Sequence, residues 1–510
     1  MKSRTLTCIT AITLFAALAV PVGLVAQEQN DKPKHHHYKL IDIGTFGGPL
    51  SGINEPLNYV PAVNRRGQAV GFSAYSVPQT VLNNPTACFG TNVTHAFEWM
   101  NSAVTDLGSL AGPAFCSDAN SINQRGEIQG ISEIDAVDQV LGFYEVRAVV
   151  WKHGRLVNLG TLGGDNSWAW AINNRGQVVG LTQNAIPDPY SIFDFLIFGS
   201  SVGTQTRAFL WQDAVMRDLG TLGGPDAWVF GINERGQIAG VSYVNSTPNP
   251  STGFPTLDPF FWDNAKMRDL GSLGGVVGYV EEMNNRGQVI GGSSTAANPR
   301  ACIAPNGSIE FTNPGCDPYF WDGGGMIDLS SHTTGAIPYT AEAINDAGEI
   351  MGAATFPDQP YDAYLRREDG RAIDLGHVSG DCYSEAWAIN IHSQVVGDSY
   401  SCGATYFHAA FLWEDGSIAD LNSLIAAGSG LRLVSANAIN DRGEIAGNGV
   451  PPGVSPGDVF ALGHAFLLIP CDENHPDVDG CDYSMVDAIA EPPVVPATHE
   501  TRSSALSRSL

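Results

Sequence analysis

One short pattern recurs eight times along the chain and constrains the fold more than any other feature. Each copy has an apolar residue followed by Asn, then Gly three residues later and Gln or Glu after it. Asn side chains hydrogen-bond nearby backbone and Gly accepts a positive φ, so each copy predicts a tight hairpin. Ser393 replaces the Gly in the seventh copy and should strain its turn. The eight asparagines are Asn64, Asn123, Asn173, Asn233, Asn284, Asn345, Asn390 and Asn440.

A second hairpin follows in every copy, typified by Arg207 to Trp211, a short turn, and Met216 to Gly220. With the first hairpin it gives four short strands per repeat, which is the pattern of a propeller blade. A tryptophan recurs in the third strand, at Trp99, Trp151, Trp211, Trp262, Trp321 and Trp413.

The two ends of the repeat array complement each other. Residues 39–44 form a fourth strand with no first three before it, and the last copy stops at 464–468 without a fourth strand. Pairing these segments would close a ring and remove both exposed edges. We therefore predict an all-β fold: an eight-bladed β-propeller of four-stranded antiparallel blades, closed by the N-terminal strand. An open β-solenoid is the alternative.

The repeat also resembles a known family. The triplets His95-Ala96-Phe97 and His464-Ala465-Phe466, the Asp218 to Gly224 stretch and the Ile-Asn-x-x-Gly turns are similar to the extracellular HAF repeats of bacteria. The resemblance covers about residues 38–469 and implies an extracytoplasmic repeat protein, without bringing catalytic residues. Arg147-Ala148-Val149 and Asp362-Ala363-Tyr364 depart from the triplet, so His is not required in every copy.

Charge and the termini limit the partners. The chain has 53 acidic and 26 basic residues and no basic block, which argues against nucleic acid. Residues 1–26 are typical of a signal peptide, with a membrane anchor as the alternative. We expect a secreted or periplasmic monomer with no membrane partner after cleavage. The predicted order is signal peptide 1–26, linker 27–37 with three solvated histidines, propeller 38–469, disulfide loop extension 470–488 and disordered tail 489–510.

Eight cysteines remain once Cys8 leaves with the signal, and an even number in an exported protein favours disulfides. Strand alternation places the long loop between the second and third strands on the same face as the connection to the next blade. We call this the loop-rich face, and the opposite one the tight-turn face. Nearest-neighbour pairing on this topology predicts bonds between Cys88 and Cys116, Cys302 and Cys316, Cys382 and Cys402, and Cys471 and Cys481.

The innermost strand of each blade carries a varied residue five positions before the Asn. These residues enter the strand from the loop-rich face and mix aromatic rings with carboxylates, a combination that suits a glycan or a protein ligand. The alternative is that the tryptophans wedge between neighbouring blades. The candidate binding residues are Tyr59, Asp118, Trp168, Trp228, Tyr279 and Glu385.

The leading interpretation is a non-catalytic binding propeller, and the rival is a hydrolase or lyase acting on extracellular polysaccharide. Its acids would be Glu281, Glu282, Glu342 and Glu385. No nucleophile elbow, metal-ligand motif or phosphate loop occurs in the sequence, so we expect no cofactor and no metal. The apolar run 192–198 is either a partner-binding patch or a plug on the propeller face.

Overall fold

The computed structural model describes residues 34–53, 61–189, 191, 203–299, 302, 316–357, 359–403 and 407–487. The predicted signal peptide, the apolar run 192–198 and the tail 489–510 lie outside them. Within these ranges, no helix combines the length and apolar character needed to span a membrane. The helical elements of the described residues are two 3-10 turns, Leu421–Ser423 and Pro456–Asp458, and the short helix α1, Val459–Leu462.

The strands follow the predicted hairpin order. Strands β1 and β2 are Lys34–His36 and Tyr38–Asp42. The first to fourth repeats hold β3 Gly47–Gly52, β4 Ala69–Pro78, β5 Asn92–Met100, β6 Ala103–Asp106; β7 Ser117–Ile122, β8 Ile128–Val137, β9 Tyr144–Lys152, β10 Arg155–Asn158; β11 Gly163–Ile172, β12 Val178–Pro187, β13 Thr204–Gln212, β14 Val215–Asp218; and β15 Ala227–Ile232, β16 Ile238–Tyr243, β17 Leu257–Asp263, β18 Lys266–Asp269.

The remaining repeats are built in the same way, except that the inner strand of the sixth is divided in two. They hold β19 Gly274–Met283, β20 Val289–Thr295, β21 Asp317–Trp321, β22 Met326–Asp328; β23 Ile337–Pro338, β24 Ala343–Ile344, β25 Ile350–Phe356, β26 Gln359–Arg366, β27 Ala372–Asp374; β28 Asp381–Ile389, β29 Val395–Ser401, β30 Phe407–Glu414, β31 Ser417–Asp420; and β32 Arg432–Ile439, β33 Ile445–Val450, β34 His464–Pro470, followed by β35 Met485–Asp487.

Within each repeat the strands pair antiparallel in sequence order, which gives the blades of a β-propeller. One parallel contact, between Leu257 and Val277, joins the sheets of the fourth and fifth repeats. Because this contact merges the sheets of two repeats into one and the inner strand of the sixth repeat is divided, the count of eight blades stays a prediction. The all-β propeller fold itself is confirmed.

Closure by the N-terminal strand is also confirmed. Strand β2 pairs antiparallel with β34, with Tyr38 opposite Pro470 and Asp42 opposite Phe466. The first strand in the chain therefore supplies the outer edge of the sheet that holds β32, β33 and β34.

The asparagine turns are joined in a ring. Each Asn side chain donates to the main-chain carbonyl oxygen of the Asn in the next turn, at 2.8 to 3.3 Å, and the last donates to the first. Among the described residues this ring has eight members. Each Asn thus closes its own hairpin and fastens it to the neighbouring one.

A glycine on the second strand lets the inner strand approach closely. A Cβ on Gly180 would lie 2.0 Å from the carbonyl oxygen of Trp168 and 2.7 Å from the ring of Phe209. The register between β11 and β12 shifts between Ala169 and Ala171, so Trp170 is the extra residue of a β-bulge. Equivalent shifts occur in the inner strands β7, β15, β19, β28 and β32.

The structure explains the His of the triplet, which forms a hydrogen-bonded pair with an Asp of the fourth strand. In the first repeat, His95 Nδ1 lies 2.9 Å from Asp106, which ends the fourth strand and also accepts from the Gly108 amide at 2.7 Å. His464 and Asp42 form the same pair across the closure, at 3.0 Å. The aromatic residue of the triplet is fully buried within the blade: Phe97, Phe209, Phe260, Tyr319, Tyr364, Phe411 and Phe466.

In repeats without the His of the triplet, other residues form the pair. Arg207 replaces His and pairs with Asp218 at 3.0 Å. In the sixth repeat an acid, Asp362, stands at the position of the His. It pairs with His377, which lies in the connection between β27 and β28, also at 3.0 Å. In the fourth repeat, Asp258 stands in a strand next to Asp269, so two acids occupy the positions of the ion pair.

All four predicted disulfides are present, with Cα–Cα distances of 5.4, 4.7, 5.0 and 5.4 Å in chain order. The Cys382–Cys402 bond lies within the seventh repeat and joins the start of β28 to the residue that follows β29.

The prediction of a solvated histidine linker is wrong for His35. This side chain is fully buried, with Nδ1 2.9 Å from Glu414 Oε1 and Nε2 2.9 Å from Ser417 Oγ. Its strand, β1, pairs with β35 of the C-terminal extension. Because His35 is hydrogen-bonded and lies on a paired strand, it is not part of a solvated linker. The ordered strands therefore begin at β1, before residue 38, where the propeller was predicted to start.

Candidate functional site

The structure buries most of the residues proposed five positions before the Asn. Asp118, Trp228 and Tyr279 are 2 %, 4 % and 3 % exposed. Trp168 is half-buried and packs against the hydrophobic cluster that contains Cys88 and Cys116. This is the wedge between blades that the sequence left as the alternative, so the binding assignment is corrected for these residues. Tyr59 lies outside the described residues.

Among the predicted site residues, Glu385 contacts a group of tyrosine side chains that the sequence did not single out. Its Oε2 accepts from the Tyr400 hydroxyl at 2.6 Å and its Oε1 from the Tyr361 hydroxyl at 3.2 Å. Tyr383 packs against both rings, edge-on to Tyr361 at 5.7 Å and stacked on Tyr400 at 4.5 Å. Tyr339 stacks on Tyr361 at 6.1 Å. We call these four tyrosines and Glu385 the tyrosine cluster.

The topology places the tyrosine cluster on the loop-rich face. Tyr361 lies near the start of β26, Tyr383 near the start of β28 and Tyr400 near the end of β29, and all three ends point the same way in this strand order. Tyr339, Tyr361 and Tyr383 are half-buried, whereas Tyr400 is buried. The Cys382–Cys402 disulfide lies immediately beside the cluster in sequence.

A second set of side chains lies three residues before the Asn in the second to eighth repeats. Six of them are at the β-bulge, and Glu342 holds the equivalent position in the sixth repeat, where the inner strand is divided. Bulges commonly redirect a side chain next to a functional site. The set combines rings, acids and amides: Asn120, Trp170, Phe230, Glu281, Glu342, Trp387 and Asn437. Trp170, Phe230, Glu281 and Asn437 are half-buried, so the bulge position is more accessible than the position we had proposed.

The acids of the rival enzyme hypothesis lie in different environments. Glu282 Oε2 accepts from the Ile344 amide at 2.7 Å, and burial raises its pKa to about 8. Burial, followed by the charges of Glu342 and Glu282, raises the pKa of Glu281 well above its usual value. Glu342 accepts from the Thr340 hydroxyl at 2.8 Å. Glu281, Glu282 and Glu342 therefore form an acidic group in neighbouring inner strands, distinct from Glu385.

One group among the described residues has the spacing of metal ligands: Cys88, Cys116 and Glu133. The two sulfurs are bonded to each other, which removes them as thiolate ligands. Glu133 instead fastens a loop, because its Oε2 accepts from the Cys116 amide at 2.6 Å and from the Asn83 side chain at 2.8 Å. Burial raises the pKa of this carboxyl.

Sequence reasoning named Glu281 and Glu342 as acids of the rival enzyme hypothesis, but it missed the other residues of this second set and all four tyrosines of the cluster. A signal for this second set was present, since the position three before the Asn holds a ring or an acid in five of the eight repeats, against six at the position five before it. Tyr361, Tyr383 and Tyr400 come from three strands of two repeats, Tyr339 lies between β23 and β24, and the four share no repeat position. Only the packing of neighbouring blades brings them together.

No family model and no curated protein sequence matches this chain. Among solved structures it is similar to the β-propeller domain of the Trilobed protease from Pyrococcus furiosus, at 13 % identity and a TM-score of 0.36 over 65 % of this chain and 87 % of that one. For the acylaminoacyl peptidase of Pyrococcus horikoshii the values are 12 %, 0.36, 71 % and 54 %, so the chain spans about half of that protein. For a gluconolactonase from Xanthomonas campestris they are 9 %, 0.27, 81 % and 96 %. At such identities and TM-scores, what these proteins do is not carried over to this chain.

Proposed function

We propose that this protein is an exported, non-catalytic binding propeller that recognises a glycan through the tyrosine cluster on its loop-rich face. The observation that carries the proposal is the position of Glu385, whose two carboxylate oxygens each accept a tyrosine hydroxyl while half-buried rings surround it. We also propose that the repeats belong with the bacterial extracellular HAF repeats.

The chemistry of the cluster suits a sugar ring. Phenol rings offer apolar faces to the C–H surface of a pyranose, and a carboxylate accepts hydrogen bonds from adjacent hydroxyl groups. Two tyrosine hydroxyls hold Glu385 in one orientation, so few rotamers are lost when a ligand binds.

Order in the surrounding loops supports the same proposal. Tyr383 and Tyr400 lie on paired strands, directly opposite each other in the register of β28 and β29. The disulfide beside them restricts the loops further. A site on strands is held more rigidly than one on free loops.

The cellular location is part of the proposal. Four disulfides indicate an oxidising environment. Together with the signal-like segment 1–26, they favour secretion or the periplasm. An exported protein in that setting would meet cell-surface or extracellular polysaccharides.

The test is a glycan screen followed by titration of the best oligosaccharide into variants. Tyr361→Ala and Tyr383→Ala should each weaken binding about tenfold, which corresponds to about 1.4 kcal/mol. The matched control is Tyr483→Ala, which removes a tyrosine that is 45 % exposed on the C-terminal extension and should bind as the unaltered protein does. Equal affinity in all three variants would reject the site. Shortening of the oligosaccharide during the assay would favour the polysaccharide hydrolase or lyase instead.

A further inference from the structure

We propose that an arc of arginines on the tight-turn face binds a linear acidic polysaccharide through the carboxylates of its uronate sugars. The asparagine turns join the first and second strands, so they lie on the face opposite the tyrosine cluster, and the site does not depend on that cluster. We call it the arginine arc. It consists of the arginines two positions after the repeat Asn: Arg66, Arg125, Arg175, Arg235, Arg286 and Arg442.

The fold assembles the arginine arc from distant parts of the chain. Apart from the step across the closure, its members are 50 to 60 residues apart in sequence. The side-chain bonds between asparagines place their turns side by side, from Asn440 through Asn64 to Asn284. Six consecutive turns therefore carry the arc. It is interrupted at the sixth and seventh repeats, where Ala347 and His392 hold the equivalent position.

Hydrogen bonds fix the direction in which the guanidinium groups extend. Arg175 Nη1 donates to the Arg235 carbonyl oxygen in the next turn at 3.1 Å, and Arg235 Nε donates to the Asn285 carbonyl oxygen at 3.0 Å. Across the closure, Arg442 Nη1 donates to the Arg65 carbonyl oxygen at 3.3 Å. Each of these side chains thus lies along the ring of turns and reaches the neighbouring one.

Two further members lie over the glycine of the next turn. A Cβ on Gly176 would be 2.6 Å from Arg125 Nη2, and one on Gly348 would also collide with Arg286 Nη2. These two arginine side chains are still 48 % and 40 % exposed. The other members are exposed too, except that Arg442 is half-buried. Because a guanidinium group has five N–H donors, the bonds to the next turn leave donors for a ligand.

The arginine arc carries positive charge on an acidic chain. Its six turns hold seven arginines and four acids. Glu127 and Glu444 are buried, and Lys152 Nζ lies 2.6 Å from Glu127. A third acid, Asp441, pairs with Arg65. The arc therefore has excess positive charge although the chain has a net charge of −27, and this charge attracts anions.

The shape of the arc favours a linear, flexible polyanion. The guanidinium groups are spread over successive turns instead of converging on one point, as a single small anion would require. A DNA duplex, with a persistence length of about 50 nm, is too stiff to follow them. Single-stranded nucleic acid binds by stacking its bases on aromatic side chains. The eight asparagine turns contain no aromatic residue.

The composition of the turns favours a polysaccharide over an acidic peptide. Protein ligands are usually anchored by aromatic or apolar side chains in pockets. The six turns of the arc consist only of Asn, Asp, Gln, Glu, Arg and Gly, so they offer no such pocket. A polyuronate is polar along its whole length and presents one carboxylate per sugar. The planar fork of arginine binds a carboxylate with two parallel hydrogen bonds.

The experiment measures the binding of polygalacturonate to the intact chain by calorimetry, beside its methyl ester, which has the same backbone without the charges. The acid should bind at least about tenfold more tightly than the ester, and less tightly as salt is added. Arg175→Gln/Arg235→Gln should weaken binding at least about tenfold. The matched control, Arg155→Gln/Arg217→Gln, removes two charges from exposed positions on β10 and β14 and should weaken it less than about threefold.

A second variant separates charge from structure. Arg175→Lys/Arg235→Lys keeps both charges but lacks the guanidinium donors that reach the next turn, so it should bind polygalacturonate more tightly than the glutamine variant does. Melting temperatures check that each variant is folded. Tyr361→Ala should leave polygalacturonate binding unchanged, so this proposal and the tyrosine cluster can fail separately.

Five results would overturn the proposal. They are equal binding of polygalacturonate and its ester, equal losses in the arc and control variants, equal losses in the glutamine and lysine variants, tighter binding of poly-L-glutamate than of polygalacturonate, and loss of polygalacturonate binding in Tyr361→Ala.

Discussion

Asn440 donates its side-chain amide to the main-chain carbonyl oxygen of Asn64, 376 residues earlier in the chain, at 2.8 Å. This bond links the last asparagine turn to the first. The same contact joins every other pair of successive turns. One repeated side chain thus serves both as a local turn residue and as a connection between blades.

Removing one member of the ring should destabilise the whole molecule. Asn173 donates to Gln177 Oε1 at 2.7 Å and to the Asn233 carbonyl at 3.0 Å, and it accepts from two amides of its own turn. Asn173→Ala should therefore cost about 2 to 4 kcal/mol in urea unfolding. The control is Asn158→Ala at an exposed turn with one such bond, which should cost less than about 1 kcal/mol. Equal losses would contradict a special role for the ring.

Ser393 tests how a non-glycine residue is tolerated in the turn. Its φ is +62°, which is strained for serine, but its hydroxyl donates to Glu349 at 2.7 Å and accepts from Arg367 at 2.9 Å. Ser393→Ala keeps the strain and loses both bonds, so it should be the least stable form. Ser393→Gly should be about 1 kcal/mol more stable than the alanine variant, while remaining below the unaltered protein. A glycine variant more stable than the unaltered protein would show that the two hydroxyl bonds contribute less than the strain of the positive φ costs.

The acid pair of the fourth repeat should produce a pH-dependent instability. Burial, and next the charge of Asp269, raise the pKa of Asp258 to about 7. The folded protein therefore holds this proton more tightly than the unfolded chain, and stability is lost as the pH rises from about 4 to 7. Asp258→Asn should be more stable than the unaltered protein above pH 7, with the difference disappearing near pH 4. Chemical denaturation at several pH values measures it.

Asp106 supplies a control of opposite sign. Burial raises the pKa of this carboxyl, but hydrogen bonds from His95 and Tyr75 outweigh burial, and the pKa lies below its usual value. Asp106→Asn should therefore reduce stability at neutral pH, and the loss should shrink in acid. If Asp106→Asn and Asp258→Asn changed the free energy of unfolding in the same direction at pH 8, the opposite roles assigned to these two carboxylates would be wrong.

The disulfide beside the tyrosine cluster should matter for binding as well as stability. Replacing Cys382 and Cys402 with serine opens a bond spanning 20 residues, which should cost about 3 kcal/mol and weaken glycan binding. Serine replacement of Cys302 and Cys316 is the control. It should lower stability and leave glycan affinity unchanged. If both variants lost glycan affinity to the same extent, the Cys382–Cys402 disulfide would have no specific role in glycan binding.

Much of the fold could be predicted because it is local or repetitive. The hairpins follow from Asn and Gly at fixed spacing, and closure follows from a strand missing at one end and present at the other. The disulfides follow from strand order, since neighbouring loops on one face leave few partners. His35 could not be predicted, because its burial depends on Glu414 and Ser417, which are distant in sequence.

The site was harder to predict because it depends on one inserted residue per strand. Alternation along a regular strand favoured the residues five before the Asn, such as Trp228. The bulge redirects the strand, and the residue three before the Asn, such as Phe230, becomes the accessible one. The tyrosine cluster required contacts between Tyr361 and Tyr383, which lie in different repeats.

The most direct test of the closed propeller is a disulfide engineered across the closure. Lys39 and Ile469 are directly opposite in the pairing of β2 with β34, at a separation suitable for a bond between two cysteines. In Lys39→Cys/Ile469→Cys, peptide mapping of the unreduced protein should find residues 39 and 469 linked, with the four native disulfides intact and the melting temperature unchanged or higher. Free thiols at both positions in the folded protein would contradict closure by the N-terminal strand.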